Sequence, residues 1–334
     1  MPYDPCVFCG GMKLILDCAI SLRGRMNVDV ARCRDCGLLF VNPVLVPEQI
    51  AALYDAGYWD PDPPGRGALD AYRRYPRHYR FGAAYGRRLS RTSATGRMLE
   101  IGCGLPFFLK GVAEHCDWEV EGIDTAAGIS RFARDKLGMK VTEAPFDAGA
   151  FPARSFDLVR AKDVIEHVPR PMAFLAGIRQ VLRPGGRVEL WLPNGPLDLA
   201  AARGEYNRGG RAVMGAGHIL FISPRVLRAM LEQSGFQVER HTVSGFRYAL
   251  KALGLLKGRA GPAVGGRAQA PGAAGLLSSW QAPAPERGVK GTVGYAAYRE
   301  WRSYHPAPPW WLPLGFRQRV VARNGPGSPE VRAD

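Results

Sequence analysis

Apolar and polar positions alternate along this chain in blocks that predict strands and helices in regular succession. Met98, Leu99 and Ile101 form an apolar run that carries one acid, Glu100, and breaks into Gly-Cys-Gly at 102–104. A helical segment follows, then a second short strand, VEGID, which ends in Asp124. A further buried strand is expected over Leu158–Ala161, leading into a loop with Asp163, Glu166 and His167. LRPGGRVELWLPN (182–194) reads as a helix end, a Pro-Gly-Gly turn, a strand and a Pro-Asn exit. In GHILFISPRVLRAMLEQSGF (217–236), Ser223 is the expected N-cap and Pro224 the first helical residue, with Gly-Phe opening the next strand. Strand, glycine loop, helix and strand in this order predict an α/β chain with a doubly wound sheet.

The N-terminal pattern is different. Cys6-Val-Phe-Cys9-Gly10 and Cys33-Arg-Asp-Cys36-Gly37 are matched knuckles, separated by strand-like stretches. Four thiolates at this spacing suit a closed, tetrahedral, structural Zn(2+), with the glycines letting backbone N–H groups point at sulfur. A disulfide reading needs an oxidising compartment, and MPYDPC has no apolar leader, so a cytoplasmic location is expected. Cys18, Cys103 and Cys116 are left over. After the second knuckle come a strand, a Pro-rich turn and an amphipathic helix through PEQIAALYDAGYWD.

Length and charge change the picture less. The 334 residues suffice for one catalytic domain and a small module. No apolar run reaches the roughly 18 residues that a membrane span needs. The net charge of +15 is concentrated in two places. From Arg66 to Arg97 nine arginines face one acid, Asp70; from Lys251 to Asp334 twelve basic residues face four acids. The first cluster interleaves arginine with Tyr72, Tyr75, Tyr79, Phe81 and Tyr85. It reads as a solvated helix face whose tyrosines pack on the domain, as a lid for a phosphorylated or otherwise acidic substrate, or as a platform for RNA. Residues 257–291, rich in Gly, Ala and Pro, read as a linker or insertion.

The glycine loop carries the chemistry. Gly102 and Gly104 let a ligand lie against the backbone, and Asp124 can accept hydrogen bonds from both ribose hydroxyls of an adenosine cofactor. A dinucleotide fingerprint asks for a third glycine where Phe107 stands, and Glu100 fits a cationic ligand better than a diphosphate. With the motifs at 155–171 and 182–194, the chain resembles the class I S-adenosylmethionine-dependent methyltransferases over about residues 96–250. The N-terminal knuckles and the 217–236 segment resemble a bacterial subgroup with a zinc ribbon, whose members act on sugars, polysaccharide precursors, quinones or secondary metabolites.

That resemblance implies a seven-stranded, Rossmann-like methyltransferase sheet behind a small zinc ribbon. It implies a ribbon over 1–45, an Arg- and Tyr-rich lid over 46–95, a catalytic core over 96–250, a basic insertion over 251–309, and a last antiparallel strand and tail over 310–334. It places Glu100, Gly102, Cys103 and Gly104 around the methionine moiety of S-adenosyl-L-methionine, Asp124 at the ribose, Asp147 and Ala148 near the adenine, and Asp163 also at the cofactor. Pro106 stands where the family has another glycine, and a proline in the first helical turn is compatible with that shape. The implied reaction is methylation of a small-molecule or carbohydrate-like acceptor, most simply on oxygen, with RNA methylation as the alternative. His167 and His218 are the expected proton-handling residues, with His78 a distant third. Asp163-Val-Ile-Glu166-His167 also resembles the Glu-x-x-Glu-His run with which quinone O-methyltransferases hold a divalent cation.

Overall fold

The computed structural model describes residues 3–23, 25–53, 75–126, 128–207, 217–244 and 317–325. The expectations for 251–309 lie outside the described residues, as do residues 54–74, Tyr72 among them. The described strands form a four-stranded and a seven-stranded sheet. The larger has, in order, the strands Phe236–Ser244, Arg317–Asn324, Leu182–Pro193, Phe156–Lys162, Thr95–Ile101, Asp117–Asp124 and Lys140–Glu143, and mixes parallel with antiparallel pairs, as expected for the methyltransferase fold. Two compact units divide the chain.

One unit takes the described parts of 54–146. Its strands β4 (Thr95–Ile101), β5 (Asp117–Asp124) and β6 (Lys140–Glu143) run parallel, in register from Thr95↔Asp117 to Ile101↔Ile123 and from Glu121↔Lys140 to Asp124↔Glu143. Parallel strands are covered on their faces, and Met98, Leu99 and Ile101 are accordingly buried. Among its helices are α2 (Tyr75–Thr92), α3 (Phe107–Ala113) and α4 (Ile129–Phe132), the last continuing into a π-turn at Ala133–Leu137. Helices α2 and α3 meet through glycines. A Cβ on Gly82 would lie 1.9 Å from the Phe108 carbonyl oxygen, and one on Gly111 2.1 Å from that of Tyr79. Tyr85 and Phe81 stack on Phe108, whereas Arg77, Arg87, Arg88 and Arg91 face solvent. Among the described residues, Phe81 and Tyr85 thus serve packing, and these four arginines lie on the solvated face.

The other unit takes the described parts of 1–53, 147–257 and 304–334. It holds β7 (Phe156–Lys162), α5 (Pro171–Val181), β8 (Leu182–Pro193), α6 (Gly195–Asn207), α7 (Pro224–Gln233), β10 (Phe236–Ser244) and β11 (Arg317–Asn324). As expected from LGFRQRVVARN, β11 is antiparallel to both β10 and β8. Ser223 caps α7 by accepting from the Val226 N–H at 3.3 Å, and Pro224 is its first residue. Pro-Gly-Gly at 184–186 falls within β8 as a bulge, because Phe156 pairs with Leu182 and the next partner pair is Leu158↔Arg187. Gly185 supplies the positive φ of 76° that this detour needs.

The cysteine knuckles belong to this second unit. β1 (Leu14–Leu22) and β2 (Met26–Cys33) form a hairpin, β3 (Leu39–Val41) pairs with β2, and a fourth strand, β9 (Leu220–Phe221), joins from far along the chain. The expected helix after the Pro-rich turn is α1 (Pro47–Leu53).

Candidate active site

The glycine loop is held by the end of β5. Gly102 and Gly104 adopt φ of 68° and 53°, a left-handed conformation that glycine adopts without a Cβ penalty. The Gly102 N–H donates to the Ile123 carbonyl at 2.8 Å and the Gly104 N–H to Asp124 Oδ2 at 2.7 Å. Asp124 Oδ1 accepts from the Ala126 N–H at 2.9 Å. Burial pushes the Asp124 carboxyl up, and the amides of Gly104, Ala126 and Thr125 work against that rise. Each carboxylate oxygen has a second lone pair, so the acid that braces the loop can still accept hydroxyl donors. Glu100 is buried, 4% exposed, one residue before the end of β4.

Pro106 lies one residue ahead of α3, at its cap, and its carbonyl accepts from the Lys110 N–H at 2.9 Å. Phe107, at the third fingerprint position, is buried edge-on against Phe132. Gly122 was not singled out by sequence. A Cβ there would stand 2.6 Å from Cys103 Sγ and 2.9 Å from Leu109 Cδ1, so this glycine makes room for the loop.

In the other unit, His167 and His218 come together although 51 positions apart. Their rings lie 4.7 Å apart, edge to face. His167 ends a 3₁₀ turn, Ile165–His167, and its Nδ1–H donates to the Gly217 carbonyl at 3.0 Å. His218 Nδ1–H donates to Asp198 Oδ2 at 2.6 Å, and Asp198 is 2% exposed on α6. Since a carbonyl and a carboxylate only accept, both rings carry their proton on Nδ1 and leave Nε2 for other partners. Burial disfavours the charged form of His218, but the Asp198 carboxylate outweighs it and raises the ring to about 9. Burial, then the charge of His218, holds His167 down to about 3. Glu166 is buried, 2% exposed, and burial pushes it up to about 8.

Donor atoms of Glu166, His167 and His218 lie within 4.8 Å of one another, a spacing that could hold a cation. Asp163 is not among them. Its backbone turns at φ 55°, and its carboxylate accepts from Arg317 at 2.9 and 3.3 Å and pairs with Lys162 at 3.4 Å. Burial opposes its charge, but Lys162 and Arg317 hold it below the usual carboxylate range. The Asp-x-x-Glu-His run therefore contributes two of its three expected donors, and His218 replaces the first acid.

Asp147 caps the short 3₁₀ turn Ala148–Ala150 by accepting from the Gly149 N–H at 3.0 Å, and Ala148 is buried within that turn. His78 is half-buried on α2. Asp198 and Arg317 were not anticipated. The signal for Asp198 was an acid set among apolar residues in PLDLAAA; Arg317 gave none, since its partner is 154 positions away.

At the ribbon, the Sγ atoms of Cys6, Cys9, Cys33 and Cys36 gather within 4.8 Å, with Cys6–Cys36 and Cys9–Cys33 both 3.6 Å apart. Around a tetrahedral zinc with bonds of ~2.3 Å, sulfurs stand about 3.8 Å apart, so the donor set fits. All seven cysteines are unbridged. Gly10 and Gly37 turn the knuckles at φ 72° and 82°, and their N–H groups donate to the Cys6 and Cys33 carbonyls at 2.8 and 2.9 Å. Burial raises the Cys6 thiol to about 11, whereas at Cys33 the amides of Cys36 and Asp35 outweigh burial and lower it.

A family model described as a methyltransferase domain matches residues 72–241, half of the chain. A ubiquinone biosynthesis O-methyltransferase of Xanthomonas axonopodis pv. citri (strain 306) is 32% identical over 165 residues, covering 46% of this chain and 67% of that protein. One of the same name from Xylella fastidiosa (strain M23) is 30% identical over 215 residues, covering 59% and 79%. A solved S-adenosylmethionine-dependent methyltransferase from Mesorhizobium loti is 17% identical at a TM-score of 0.41, covering 72% of this chain and 96% of that one. The chain belongs to the methyltransferase-domain family and is an S-adenosylmethionine-dependent enzyme of class I. No described helix is long and apolar enough to cross a membrane.

Proposed function

We propose that the enzyme transfers a methyl group to a hydroxyl oxygen of a small molecule. The observation that carries the reading is the His218–Asp198 hydrogen bond of 2.6 Å beside His167. S-adenosylmethionine supplies a methyl group on a sulfonium, already an excellent leaving group, so the protein's task is alignment and management of one proton. In this reading Glu100, Gly102, Cys103 and Gly104 surround the methionine end, Asp124 accepts from the ribose, and Asp147 and Ala148 flank the adenine. His218, oriented through Nδ1 by Asp198, takes the acceptor proton at Nε2 in its neutral form, the minor one below about pH 9, and His167 braces its loop through Gly217. Asp163, which orders the end of β7 through Arg317 and Lys162, contributes to the cofactor site. The four cysteines hold a structural zinc. The similarity to ubiquinone O-methyltransferases supports an oxygen acceptor on a small molecule, with a phenol preferred to a sugar hydroxyl.

The cluster Glu166–His167–His218 favours one second reading, in which these residues hold a divalent cation that orients the acceptor oxygen. Two imidazoles with Nδ1 engaged and Nε2 directed elsewhere resemble the outer bonding of metal-bound histidines.

The test is transfer of labelled methyl from S-adenosylmethionine into fractions of a cell extract. The expected label is in low-molecular-weight hydroxylated compounds, reduced about 10²–10⁴-fold in His218→Asn. Label in RNA alone would contradict the proposal. Loss of transfer on chelation, restored by added Mg(2+) with the ribbon metal still bound, selects the second reading.

A further inference from the structure

The ribbon sheet does not close on itself. Its last strand pairs with β9, Leu39↔Phe221 and Phe40↔Leu220, and the Val41 N–H donates to the Ile219 carbonyl at 2.8 Å. The Ile219 N–H in turn donates to the Glu166 carbonyl at 2.9 Å. A continuous backbone path therefore runs from the second cysteine knuckle, where the Cys33 N–H donates to the Leu38 carbonyl at 2.9 Å, to both residues flanking the histidine pair. Leu39, Phe40, Val41, Ile219, Leu220, Phe221 and Ile222 are each at most 4% exposed, so the join is dry and its hydrogen bonds have no water to replace them.

The same short strand also seats α6. The Gly195 N–H donates to the Ile222 carbonyl at 3.0 Å, and a Cβ on Gly195 would lie 2.0 Å from the Phe221 carbonyl carbon. Asp198, the partner of His218, stands one turn along that helix.

We propose that the metal-held ribbon is a working part of the acceptor site, whose β3–β9 join fixes His218 against Asp198. Val41 and Ile219 are then positioning residues. This rests on the four cysteines holding zinc. β4, β5 and their loop belong to the other compact unit.

The experiment uses the full chain with 15N-labelled histidine. Zinc content, the imidazole resonances of His167 and His218, and S-adenosylhomocysteine affinity by calorimetry are followed before and after stripping the metal. Stripping is expected to shift both imidazole signals and to change the S-adenosylhomocysteine affinity by less than about twofold. Val41→Pro removes only the N–H that reaches Ile219, and is expected to shift the same signals with zinc retained; Val41→Ile restores them. Unmoved imidazole signals after verified zinc loss overturn the proposal. So does loss of S-adenosylhomocysteine binding on stripping, which would make the ribbon a support of the whole fold. Protein purified without zinc refutes the metal reading, and Val41→Pro then decides the join by itself.

Discussion

His241 illustrates how one buried side chain links sequence, packing and pH. Its Nε2–H donates to Gln318 Oε1 at 3.0 Å, and Gln318 in turn donates to the Pro193 and Ile222 carbonyls at 3.1 and 2.7 Å. Burial lowers this histidine to about 4. The unfolded chain binds the proton near pH 6.5, so between pH 6.5 and 4 the unfolded state holds more protons and stability falls with falling pH. The expected loss across that window is roughly 2–3 kcal/mol. Urea unfolding at pH 7 and pH 5 measures it, and His241→Phe should flatten the difference; an unchanged slope would refute the assignment. The residues of the glycine loop were legible because the loop is local: Glu100, Gly102, Gly104 and Asp124 lie within 25 positions. Asp198 and Arg317 were not, because what gives each its role is a partner brought in by the fold, His218 from 20 positions away and Asp163 from 154.

Helices α2 and α3 cross at a distance that only glycine allows. Gly111→Ala would drive a methyl group into the Tyr79 carbonyl, and the helices must part. The expected cost is about 1–3 kcal/mol in thermal unfolding, without change in zinc content. A mutant as stable as the wild type would mean that the crossing gives way freely. This element tempered a sequence-level expectation. Arginine and tyrosine interleaved along 66–97 suit a lid or a nucleic-acid platform equally well in composition. In the structure Phe81 and Tyr85 are committed to Phe108, and the Tyr79 hydroxyl donates to Glu114. Composition reports which groups are present but not which face they occupy. The β8 bulge has the same origin: Pro-Gly-Gly was legible as a turn, but pairing on both sides of it kept it within one strand.

At the scale of the molecule, sequence order alone revealed the methyltransferase sheet, because its motifs recur in fixed succession. The ribbon was legible as four candidate ligands separated by strand-like stretches. Its fourth strand was not, since Leu220–Phe221 is too short to carry a periodic pattern. Removing the proposed ribbon metal should therefore be felt beyond residue 45. Hydrogen exchange after chelation is expected to rise at Ile219–Ile222 as well as at Leu39–Val41. Protection lost only before residue 45 would contradict this.

The central claim is that the loop between β4 and β5 binds an adenosine cofactor through Asp124. Its most direct test is calorimetric titration of S-adenosylhomocysteine into the wild-type protein and Asp124→Ala. The substitution removes both the ribose acceptor and the carboxylate that accepts from Gly104 at 2.7 Å. Saturable, one-to-one binding by the wild type and at least about a hundredfold weaker binding by the variant are expected, as for the loss of charge-assisted hydrogen bonds of about 1.5–3 kcal/mol each. No binding by the wild type, or equal binding by both, would contradict the account.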